Sequence, residues 1–140
     1  MICEGEFNRL SLEARGFPAV CSTEGASVFL PEWAEHFAGI RHVFICFNRS
    51  VASDRAAKRV QQLLPSARIA HLPADLGDGG TVEDFFMGRT QLDFEVVLSG
   101  ALALHTVDDA PGIRELQPVD RAADVERFRR FDSLHHRVIQ

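Results

Sequence analysis

The chain has 140 residues, 46% of them hydrophobic and 25% charged, with a formal net charge of −5. That is enough for one domain with a real core, and no apolar run approaches the roughly 20 residues needed to cross a bilayer. The acidity argues against indiscriminate binding to nucleic acid, while a local basic patch stays compatible with it.

Ile2-Cys3 reads as the end of a very short first strand, closed by Glu4-Gly5-Glu6. A helix over Phe7 to Arg15 follows, with Phe7, Leu10 and Ala14 on one face and Gly16 ending it. Phe17 to Cys21 is a second short strand, and Ser22 to Ser27 a loop. Pro31 suits the first turn of a second helix, where Trp33, Phe37 and Ile40 recur at helical spacing. His42 to Phe47 is nearly continuous in apolar residues, as in a central parallel strand covered on both faces. Ser53 suits the cap of the next helix, with Asp54 in its first turn. Ala56, Ala57, Val60, Leu63 and Leu64 form its apolar stripe, and Pro65 stops it.

Ala67 to Leu72 reads as a fourth strand. The β-α-β-α-β-α-β order with short connections predicts an α/β fold, a small parallel sheet with helices on both faces. Leu76 to Phe86 reads as a Gly-rich loop leading to an acidic-aromatic motif. Thr90 and Asp93 resemble a capping box opening a helix with Phe94, Val97, Leu98, Ala101 and Leu102 on its inner side. Residues 105–119, with Asp108-Asp109, Pro111-Gly112 and Pro118, read as a linker. Residues 120–140 read as an arginine-rich helical extension, with Val125, Phe128, Phe131 and Leu134 on its apolar side.

Cys3, Cys21 and Cys46 each lie in or beside an apolar run, with no CxxC spacing. Free, buried thiols in a reducing cytoplasm are therefore expected, and a zinc site is not. The N-terminus has neither the basic nor the apolar region of a secretory signal.

Ligands of open α/β sheets collect at the carboxyl ends of the strands. Those ends gather Glu4 and Glu6, then Glu24, then Asn48 and Ser50, then Asp75, Asp78, Glu83 and Asp84. A carboxylate-rich edge suits Mg²⁺ and phosphoryl-transfer chemistry.

Three stretches carry a resemblance: "CEGEFNRLSLEARGFPAVCSTEGA", "HVFICFNRSVASDRAAKRV" and "DGGTVEDFF". Together they resemble the Toprim domain, nearest to the branch of bacterial and phage primases and primase-helicases. The resemblance runs from about Ile2 to Phe86 and makes residues 1–104 a Toprim-like domain. In that family the acid of the "EG" pair after strand one is a general acid/base or metal ligand, and here it matches Glu4. The "DxD" that holds Mg²⁺ after strand three matches Asn48 and Ser50, and a further acid matches Asn8. The late acidic motif is retained as Asp84. The resemblance therefore implies a metal site with its central acids removed, since an amide and a hydroxyl are neutral, weaker ligands.

Two functional expectations follow. One is a catalytically impaired module that binds nucleic acid or a replication partner, with Mg²⁺ weakly held or absent and with Arg49 and Arg55 toward phosphates. The other is an active Mg²⁺-dependent primase- or nuclease-type enzyme, its ligands rebuilt on Glu4 and Asp84 with help from Glu6, Glu24 or Asp54.

Overall fold

In the computed structural model, residues 1–22 and 24–105 are described. Most of the expected linker at 105–119 and the expected helical extension at 120–140 lie outside the described residues. Four strands, β1 (Ile2–Glu4), β2 (Val20–Ser22), β3 (Val43–Cys46) and β4 (Ala67–Ile69), form one sheet in the order β2-β1-β3-β4. Every pairing is parallel. The α/β class read from the sequence is therefore the observed one. Four α-helices complete the described residues: α1 (Glu6–Glu13), α2 (Val51–Leu63), α3 (Val82–Gly88) and α4 (Gln91–His105).

Side chains of a strand alternate between its two faces, and the core divides accordingly. One face presents Met1, Cys3, Cys46, Ala70 and Leu72 to Leu12 of α1, Val82, Phe85 and Phe86 of α3, and Phe94 and Ala101 of α4. The other presents Ile2, Val20, Val43, Ile45 and Ala67 to Ala56, Ala57 and Val60 of α2 and to Phe37 and Ile40. Cys3 pairs in register with Cys21 on one side and Cys46 on the other. The thiols thus form a row across β2, β1 and β3, all of them free. Cys3 and Cys46 are buried and Cys21 is half-buried.

Four local expectations are corrected. The Phe7, Leu10 and Ala14 face of α1 points to solvent, with Phe7 73% exposed, while Asn8 and Leu12 face inward. Polar bonding decides this, because the Asn8 amide meets partners at the sheet edge that a phenylalanine could not satisfy. The cap of α2 is Ser50 rather than Ser53: Ser50 is extended, and its Oγ accepts the Ser53 N–H at 3.0 Å. The expected helix after Pro31 is a 3₁₀ segment, Pro31–Phe37, with no side-chain cap at Leu30 and with Gly39 at φ 76° closing the turn. Helix α3 begins within the expected Gly-rich loop, because Thr81 and Asp84 form a full capping box.

Among the described residues no helix is long and apolar enough to cross a membrane.

Candidate functional site at the sheet edge

Strand β1 leads to β2 on one side, and the chain then crosses to β3 and β4 on the other. The order reverses between β1 and β3, and such a switch point is where open parallel sheets bind ligands. Glu4 ends β1, and Asn48 follows β3. Gly5 turns the chain at φ 80°, a conformation open to glycine at little cost, so α1 starts at once and Asn8 lies beside Glu4.

The resulting cluster is closely bonded. The half-buried Glu4 accepts, at Oε2, the Ser53 hydroxyl at 2.8 Å and the Asn48 backbone N–H at 3.2 Å. Asn8, only 4% exposed, donates from Nδ2 to the Glu4 carbonyl at 2.6 Å and to Asn48 Oδ1 at 2.7 Å. Its Oδ1 accepts the Val82 N–H at 3.1 Å. Ser50 Oγ donates to Ser53 Oγ at 2.9 Å. Strands β1 and β3 and helices α1, α2 and α3 thus meet in one network. Among the described residues no buried side-chain nitrogen or oxygen lacks a partner.

The other expected ligands lie in separate settings. Asp84 is exposed, and its Oδ2 accepts from the Thr81 backbone N–H at 2.9 Å and the Thr81 hydroxyl at 2.8 Å. The Thr81 hydroxyl, and then its N–H, hold the Asp84 carboxyl below its usual value. Asp54 lies 3.8 Å from Nδ1 of His71. Glu6 is exposed in the first turn of α1, and Glu24 is exposed after β2. Among the described residues no three His, Cys, Asp or Glu are grouped to hold a metal ion.

That donor set does not fit Mg²⁺. The ion takes near-octahedral oxygen ligation and gives up its water reluctantly. Here Asn48 Oδ1 already accepts the Asn8 amide, and Ser50 Oγ caps α2.

Arg49 is committed to the fold. Its Nε donates to the Gly77 carbonyl at 3.1 Å and its guanidinium to the Leu72 carbonyl at 2.9 Å. Its backbone N–H donates to Gly80 O at 2.8 Å. Arg55, by contrast, is exposed on α2. Sequence reasoning missed Lys58 and Arg59, exposed one turn further along; their spacing of three and four residues from Arg55 was the available signal.

Beside the cluster, a groove of about 430 Å³ opens between the ends of β3 and β4, over Asn48, Ser50, Asp54, His71 and Asp78.

No protein-family model matches the chain. No solved structure matches it. It is similar to the Gene 57 protein of Mycobacterium phage D29, 36% identical over 72 residues, which are 51% of this chain and 47% of that protein. The chain thus matches about half the length of that curated relative.

Proposed function

We propose that the chain is a Toprim-like module of the primase type that has exchanged metal-dependent catalysis for binding of nucleic acid or a replication partner. The observation that carries this reading is the 2.7 Å bond from the Asn8 amide to Asn48 Oδ1. Both residues stand where the resembled family has acids, and each satisfies the other. A pair of carboxylates at that separation would repel and call for a cation, whereas an amide pair is stable without one.

Calorimetric titration of Mg²⁺ and Mn²⁺ tests the reading, with Glu4→Ala as control. The expected result is no saturable binding at millimolar metal. Saturable binding that Glu4→Ala abolishes overturns it, in favour of an enzyme with rebuilt ligands, to be followed by primer-synthesis and nuclease assays. A gain-of-binding variant covers the case in which Glu4→Ala fails to fold. Asn48→Asp/Ser50→Asp restores the two acids, and Asp caps a helix about as well as Ser. The restored carboxylate at position 48 can still accept the Asn8 amide, so this variant is expected to acquire Mg²⁺ binding.

A further inference from the structure

Helix α2 runs 13 residues from Val51 to Leu63. Its inner side is Ser53, Ala56, Ala57 and Val60. Its outer side carries Arg55, Lys58 and Arg59, all exposed, followed by exposed Gln62. Arg55 faces both Lys58 and Arg59 across one turn, because side chains three and four apart are neighbours on a helix. None of the three cations pairs with a described carboxylate. The one acid of the helix, Asp54, lies against His71. Three like charges with no counter-ion among the described residues are thus gathered on one helical turn of a chain whose net charge is −5.

We propose that this outer face of α2 is a contact surface for the phosphate backbone of double-stranded nucleic acid. The proposal rests on the binding-module reading above and names its partner. Charge complementarity selects a polyanion. The outer face of α2 has no aromatic side chain to interleave with the cations, so the stacking platform used on single strands is missing from this helix. Arginine and lysine on an exposed helix, with a glutamine beside them, suit sequence-independent contacts to phosphate oxygens. Arg55 and Arg59 lie about 6 Å apart along the helix axis, enough to meet more than one phosphate of a duplex.

The test is fluorescence anisotropy of the full chain with a short labelled duplex DNA of mixed sequence, over a salt series. Three phosphate contacts predict that log K falls against log salt with a slope of about −2.7. Each single substitution, Arg55→Gln, Lys58→Gln or Arg59→Gln, is expected to reduce that slope by about 0.9. The triple substitution is expected to abolish binding. Because the three side chains are exposed and Gln is a good helix former, the melting temperature should stay at the parent value.

Binding unchanged in the triple variant overturns the proposal. That result would place the contact elsewhere, including on Arg121, Arg127, Arg129, Arg130 and Arg137, which the triple variant keeps unchanged. Tighter binding of the same oligonucleotide as a single strand overturns the choice of duplex. Absence of binding at the lowest salt overturns the proposal and leaves a protein partner as the form of the functional reading. The metal titration reads the Glu4 cluster and does not depend on α2's outer face, so failure of this proposal and failure of the functional reading are separable.

Discussion

Replacing Asn8 by alanine removes three hydrogen bonds at once from the sheet edge: to the Glu4 carbonyl, to Asn48 Oδ1 and from the Val82 N–H. Their loss is unequal. Val82 is fully buried, so its N–H is left without a partner in a dry place, a penalty of about 1–3 kcal/mol. Asn48 is half-buried and Glu4 is too, so water can take over part of those two bonds, leaving a net loss nearer 0.5–1 kcal/mol for each. The sum is about 2–5 kcal/mol. With a urea m-value of about 2 kcal/mol/M, the unfolding midpoint should fall by about 1–2.5 M. Equilibrium urea unfolding followed by circular dichroism measures it. A loss below about 0.5 kcal/mol would refute the reasoning, since it would mean that water reaches the Val82 N–H. The isosteric Asn8→Asp sharpens the test. It keeps the acceptor for Val82 but sets a carboxylate against the Glu4 carbonyl, which cannot turn away. The folded protein then favours the neutral acid, so the pKa at position 8 rises on folding. Stability relative to parent is recovered below the unfolded carboxyl value and lost as pH climbs through the folded one.

Two further outcomes follow from the structure. The Thr81 hydroxyl, and then its N–H, hold Asp84 below the usual 3.8, and the Thr90 N–H, and then its hydroxyl, do the same for Asp93. The stability these caps provide is complete above the unfolded value near 3.8 and drains away as pH falls through the lower folded values. Asp84→Asn/Asp93→Asn should therefore flatten the drop in melting temperature between about pH 5 and about pH 3, and a drop as steep as the parent's would contradict the capping role. The thiols should separate in a reaction with an aromatic disulfide reagent. Cys21 is half-buried and should react in the native protein. Burial pushes Cys46 up to about 12, and the hydrogen bond with Cys21, then burial, raises Cys3 as well. All three thiols should react in denaturant, and rapid native reaction of Cys46 would count against the packed sheet.

The strands and the parallel class were legible because each strand is short and mostly apolar and lies next to turn residues, and β3 is apolar on both faces. The α1 face was misread for a physical reason. Periodicity weighs apolar residues, yet this helix docks through Asn8, and the amide's three partners come from β1, the loop just after β3 and the start of α3, which no local pattern reveals. Ser50 and Ser53 are both plausible caps by type; which one becomes the cap depends on Glu4, whose carboxylate takes the Ser53 hydroxyl. The start of α3 was readable, since Thr81-Val82-Glu83-Asp84 has capping-box spacing, but the glycines before it drew attention to a loop. At the candidate site, the sequence showed which residues stand where acids were expected. It could not show that Asn8 and Asn48 bond to one another.

The bonding of Arg49 has a consequence for how this sheet ends. Strands stop where backbone partners run out, and the chain beyond β4 leaves the sheet. Arg49 bridges that gap: its backbone N–H reaches Gly80, and its side chain reaches the carbonyls of Leu72 and Gly77. A guanidinium here does the work of a further rung of the ladder, stitching residues 72–80 to the end of β3. The site opposes a change of cation at constant charge. Lysine offers a single ammonium where a planar fork spans two carbonyls, so Arg49→Lys would keep the charge and lose the stitch. The segment from Leu72 to Gly80 is thus fastened to the same strand end that carries Asn48.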